Sequence, residues 1–103
     1  PEELVFTMDT YWVHWGGGEV TDWIDRLSGR IPCVHLKDMV ACGQKEQHMA
    51  PVGSGNLPWQ KILPALEQAG VRYALVEQDD CYGEDPFACL EKSYRFLQAQ
   101  GLK

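Results

Sequence analysis

Long apolar runs and concentrated positive charge are both missing from this sequence. No uninterrupted hydrophobic stretch approaches the roughly 20 residues of a membrane-spanning helix, and the opening Pro1-Glu2-Glu3 has neither the basic nor the apolar region of a secretory leader, so no membrane partner is expected. Lys and Arg number 9 against 15 Asp and Glu, a formal charge of −6. The basic residues form no cluster, whereas a phosphate backbone or an anionic lipid surface requires one. No nucleic-acid partner is expected, and a cytoplasmic location is. The four cysteines, Cys33, Cys42, Cys81 and Cys89, contain no CxxC pair, which argues for reduced thiols rather than a disulfide framework. Low-complexity segments and linkers are lacking too, so the 103 residues read as one domain or part of one.

What is present is an alternation of short β-prone runs with amphipathic helical patterns, the signal for βα units and a parallel sheet. The first run is Leu4-Val5-Phe6-Thr7-Met8, ending in Asp9. A Trp- and Gly-rich loop from Tyr11 to Gly18 follows, then Val20, Trp23, Ile24 and Leu27 at helical spacing, closed by Ser28-Gly29. The second run, Ile31 to Leu36, leads into a long polar loop from Lys37 to Leu57. Pro58 is expected at the first helical position ahead of Trp59, Ile62, Leu63 and Leu66, with Gly70 as the stop. After the third run, Val71 to Val76, Asp85 and Pro86 mark the start of a helix whose buried stripe is expected to be Phe87, Leu90, Tyr94 and Leu97. Three such units fall far short of the roughly 250 residues of a complete (β/α)8 barrel.

Each run ends in a residue able to bind a metal or move a proton: Asp9, His35 and Glu77. In parallel α/β sheets the ligand site lies at the carboxyl ends of the strands, so these three are expected to converge. Singly they are unremarkable, Asp9 as a turn residue and His35 as a core imidazole. Glu77 is the exception, because a carboxylate in a buried parallel strand is costly unless paired or bound to a cation. One imidazole and two carboxylates suit a divalent transition ion. Lys37 is a candidate contact for a substrate oxygen or phosphate, or a partner for Asp38 or Asp79. The Tyr11, Trp12, His14 and Trp15 loop offers aromatic faces on which a polyol could stack. Val52-Gly53-Ser54-Gly55-Asn56 reads as a tight turn into the next helix, or as backbone N–H groups presented to an anion.

The segments Phe6-Thr7-Met8-Asp9-Thr10-Tyr11-Trp12, Gly29-Arg30-Ile31-Pro32-Cys33-Val34-His35-Leu36-Lys37-Asp38, Val52-Gly53-Ser54-Gly55-Asn56-Leu57-Pro58-Trp59 and Val76-Glu77-Gln78-Asp79 resemble, in order and spacing, the C-terminal part of the sugar phosphate isomerase/epimerase family. That family has a xylose-isomerase-like TIM barrel. The resemblance implies an α/β fold of three consecutive βα units with parallel strands, a partial (β/α)8 barrel, with residues 1–103 as the C-terminal part of a longer one. It also implies a divalent metal (Mn, Co, Mg or Zn) held by Asp9, His35 and Glu77. Glu77 would double as general acid/base in proton transfer next to the carbonyl of a sugar or sugar phosphate, through an enediolate. Lys37, Trp12 and His14 would meet the substrate. The family's first metal-binding Glu has no counterpart here, since its strand would precede Pro1, and a chain that opens on Pro1 fits a trimmed piece as well as loss of an initiator Met. Epimerases of this type carry a His three residues after the Asp and an Arg six after the His. Here those positions are Trp12 and Ala41, which points to a related subgroup.

An isolated set of three parallel strands leaves unpaired edges and wet apolar residues. The chain is therefore expected to self-associate, or to need a missing N-terminal barrel part, and to be inactive alone. The competing reading is a non-catalytic α/β fragment or a metal- or carbohydrate-binding module that self-associates. A small flavodoxin-like receiver is disfavoured, because such domains need about five strands.

Overall fold

The computed structural model describes residues 3–102; Pro1, Glu2 and Lys103, and with them the opening read above for a leader, lie outside the described residues. The chain divides into two units, one running to Leu36 and adding Pro58–Leu75, the other made of Lys37–Leu57 and the chain from Val76 on.

The first unit is built on strands β1 (Thr7–Asp9), β2 (Cys33–Leu36) and β5 (Tyr73–Val76), all parallel, in the order β1-β2-β5. The register sets Met8 beside Val34 and Asp9 beside His35. Side chains alternate across a strand. Val34 and Leu36 are accordingly fully buried, while Cys33 and His35, which alternate with them, are half-buried. Helix α2 (Val20–Arg26) buries Val20 and Ile24, and helix α3 (Trp59–Gln68) buries Trp59, Ile62 and Leu66. These side chains and Ile31 complete the core of this unit. Burying a side chain of this size stabilises by about 1.5–3 kcal/mol, which offsets the entropy lost by ordering it.

Two expectations need correction here. The expected Tyr11–Gly18 loop begins as a helix, α1 (Thr10–Trp15), because the Asp9 carboxylate caps it, accepting the Trp12 N–H at 3.1 Å. Six residues are too few for a helical period to show in the sequence. Pro58 is the N-cap of α3 rather than its first residue. The glycine stops hold: Gly29 and Gly70 adopt φ of +81° and +77°, where a Cβ would be strained.

In the second unit the expected polar loop contains a hairpin of β3 (Asp38–Cys42) and β4 (Glu46–Ala50), antiparallel with Asp38 opposite Ala50 and Cys42 opposite Glu46. Strand β4 opens on the exposed or half-exposed polar residues Glu46, Gln47 and His48, so backbone pairing with β3 rather than an apolar pattern defines it. Helix α4 (Pro86–Ala99) starts as expected, with Asp85 accepting the Phe87 N–H at 3.1 Å and Pro86 in the first turn. Its buried face differs from the expected stripe. Phe87 is 79% exposed and Tyr94 60%, Leu90 is exposed as well, and the buried residues are Cys89, Ser93 and Leu97. The small Cys89 and Ser93 allow close approach, and Ser93 Oγ accepts the buried Val52 N–H at 2.9 Å. All four cysteines are free thiols. Burial, then the neighbouring Cys81 thiol, pushes the Cys89 thiol up. Among the described residues no helix is long and apolar enough to cross a membrane.

Candidate metal centre

In the first unit, Asp9 ends β1 and His35 stands opposite it in the neighbouring parallel strand β2, and this brings a carboxylate and an imidazole side by side, Oδ2 to Nδ1 at 3.8 Å. The two oxygens of Asp9 thus have different tasks: Oδ1 caps α1, and Oδ2 faces His35. Both side chains are only partly buried, at 17% and 34% exposure, so they are reachable by an ion. Thr10, wholly buried, fixes the strand end by donating from its hydroxyl to the His35 carbonyl at 3.3 Å. No sequence signal marked it. Trp12 stands against Tyr11 and Trp15 in edge-to-face contacts with centroids 4.8 and 5.7 Å apart. With Asp9, Trp23 and Phe6 it lines a cleft of about 390 Å³. His14 is exposed in the last turn of α1.

In the second unit, Lys37 follows β2 in the chain and Glu77 follows β5. Lys37 Nζ lies 2.9 Å from Glu77 Oε2 and 2.9 Å from Asp79 Oδ2. The lysine side chain is 2% exposed, whereas its partners are 41% and 45% exposed. The pairing of Lys37 with Asp79 was one of the alternatives left open by the sequence; the pairing with Glu77 was not foreseen. Asp38, also set against Lys37 by the sequence reading, ties down the loop beyond. Its carboxylate accepts four backbone N–H groups: Met39 (2.8 Å) and Leu57 (3.2 Å) on Oδ1, Gly53 (3.0 Å) and Gly55 (2.9 Å) on Oδ2. The glycine-rich turn therefore does present N–H groups to an anion, and that anion is the protein's own Asp38. Asn56 completes the tie, donating to the Met39 carbonyl and accepting the Ala41 N–H at 2.7 Å. Only glycine fits at 55, since a Cβ there would lie 2.3 Å from the Met39 carbonyl oxygen.

His48 stacks on Tyr82 with centroids 4.1 Å apart, and the Tyr82 hydroxyl accepts the Met49 N–H at 2.8 Å. This pair walls a second cleft, about 350 Å³ in volume, with Gln78, Cys81 and Glu84. Cys42 lies in β3, with its thiol donating to the Val40 carbonyl at 3.6 Å.

Comparison with solved structures gives a sugar phosphate isomerase/epimerase from Parabacteroides distasonis at 27% identity and a TM-score of 0.74, over 92% of this chain. The chain folds as a segment of a xylose isomerase-like barrel. A second sugar phosphate isomerase/epimerase from the same organism matches at 24% identity and a TM-score of 0.71, over 91% of the chain. A xylose isomerase domain protein from Alicyclobacillus acidocaldarius matches over 91% of it at 18% identity and a TM-score of 0.65, and shares the fold. The chain spans 30%, 30% and 36% of these three structures in turn. No protein-family model and no curated protein matches the sequence.

Proposed function

We propose that this chain is the part of a divalent-metal-dependent sugar or sugar phosphate isomerase/epimerase that carries Asp9, His35 and Glu77 as metal ligands. The observation that carries the reading is the Asp9 and His35 pair on adjacent register positions of parallel strands, with Glu77 directly after the third strand of the same sheet. The donor set fits a cation. An imidazole with two carboxylates matches Mn²⁺, Co²⁺ or Zn²⁺ in softness, and Mg²⁺ less well. When bound, the cation would polarise a ketose carbonyl and its neighbouring hydroxyl and so acidify the adjacent C–H. Glu77 is the group that takes and returns that proton, by way of an enediolate. Asp9, held by the α1 cap, keeps its second oxygen aimed beside His35. Trp12 in the cleft next to Asp9 suits the C–H face of a sugar, and His14 is a further candidate for its oxygens. The fold match to sugar phosphate isomerase/epimerases supports this substrate class.

With three ligands and one proton-transfer carboxylate, the chain alone is proposed to turn over little or no sugar. Activity would require the rest of the barrel. Calorimetric titration with Mn²⁺ tests the site: His35→Ala and Glu77→Gln are each expected to weaken binding at least about tenfold, as loss of one ligand or its orienting partner does. Unchanged affinity in either variant would remove that residue from the site, and metal-dependent epimerisation of a ketose by the chain alone would overturn the proposed inactivity. A second reading, a non-catalytic metal- or carbohydrate-binding module that self-associates, is favoured by the apolar side chains left in water, Tyr73 and Phe87 foremost.

A further inference from the structure

We infer that Lys37 is a positioning residue, which orients the Glu77 carboxylate so that it meets a divalent cation through one oxygen only. The inference rests on the metal-holding reading of Glu77 and goes beyond it. The Lys37 ammonium is shared between Glu77 Oε2 and Asp79 Oδ2, each at 2.9 Å, and its side chain is 2% exposed. A lysine is almost never buried to this degree unless paired, because losing water costs more than one loose contact returns.

Both ends of the clamp are fixed by the chain around them. Lys37 lies between fully buried Leu36 and Asp38, and the Asp38 carboxylate is tied to four backbone N–H groups. On the far side the Asp79 N–H donates to Met49 Sδ at 3.3 Å, which holds Asp79 to strand β4. The ammonium therefore has little freedom to follow Glu77; it is Glu77 that is held. A carboxylate with Oε2 on a charged donor keeps its plane, and chelation through both oxygens would require breaking a charge-assisted hydrogen bond. Removing the ammonium frees the plane to rotate, lets Glu77 chelate, and releases Asp79 as a competing ligand. The coordination number then rises.

Cobalt(II) added to the purified protein reports this directly, since the intensity of its visible absorption falls as coordination goes from four towards six. At saturating Co²⁺, Lys37→Met is expected to lose about half or more of the parent's molar absorbance, while Lys37→Arg, which keeps a charged donor, retains the parental band. If Lys37→Met is not folded by circular dichroism, Lys37→Gln is read in its place with the same expectation. A parental band in the folded, donor-less variant overturns the positioning role alone. A parent that gives no Co²⁺ band, or keeps an unchanged one in Glu77→Gln, overturns the metal-holding reading and the inference with it.

Discussion

Four consecutive residues divide the labour of the site: His35 faces Asp9, Leu36 is buried in the core, Lys37 is shared by Glu77 and Asp79, and Asp38 folds the turn beyond. Asp38 is the one whose loss should be felt most in stability. Its carboxylate is wholly buried and serves four backbone N–H groups, so Asp38→Ala strands those of Met39 and Leu57 in buried surroundings and takes the partner from Gly53 and Gly55. Each unsatisfied buried group costs about 1–3 kcal/mol, and some of the four will find weaker partners as the turn relaxes. A loss of about 3 kcal/mol or more is expected in urea unfolding. A loss under about 1 kcal/mol would mean that the turn holds its shape without the carboxylate.

At the scale of elements, the α2 cap gives a pH dependence with a defined sign. The Glu19 carboxylate accepts the Thr21 hydroxyl at 2.5 Å and the Asp22 N–H at 2.7 Å, and the Thr21 bond above all holds its pKa below the ordinary 4.5. A carboxylate whose pKa is depressed by folding contributes stability above its unfolded pKa, and that contribution is lost as pH falls through the folded value. Glu19→Ala should therefore be less stable than the parent at pH 7, by about 0.5 kcal/mol for an exposed cap. The gap should close as the solution is acidified below the usual carboxylate range. Denaturant melts of both proteins from pH 7 to pH 3 check this, and a constant gap would show that the charge is not what caps the helix. The elements that a local pattern can reveal were legible in the sequence: the three strands, the capped start of α4 and the glycine stops. The hairpin β3 and β4 was not, since β4 opens on the polar Glu46, Gln47 and His48 and only its pairing with β3 across Gly43 makes it a strand. Nor was α1, where Asp9 acts as a cap and so serves the helix and the candidate site at once. The α4 stripe misled because Phe87, Leu90 and Tyr94 have the period of a core face, yet Cys89 and Ser93 are the ones buried. That Asp9 and His35 lie side by side was readable because both come late in runs that pair as parallel strands, whereas the pairing of Glu77 with Lys37 depends on a side-chain path that spacing does not encode.

For the whole molecule the apolar exposure is the consequence that matters. Tyr73 is 67% and Leu75 52% exposed in strand β5, which ends the sheet order and so offers unpaired backbone as well. Phe87, Leu90 and Tyr94 lie exposed along one side of α4. A folded chain does not ordinarily leave so many large side chains wet unless something covers them, and an unprotected strand edge is a template for pairing. The chain spans about 30% of the isomerase/epimerases it resembles, so what covers these residues is proposed to be the remainder of a barrel or, for the chain by itself, another copy. Sedimentation equilibrium of the purified chain is expected to show concentration-dependent association in the micromolar range. Placing a charge at the strand edge, Leu75→Lys, should weaken it at least about tenfold if edge pairing drives it, because a lysine on an edge strand opposes the approach of a second edge. Phe87→Lys weakening it instead would assign the contact to α4. A monomer at every concentration would sink the self-association, and would leave these side chains exposed in a chain that tolerates them.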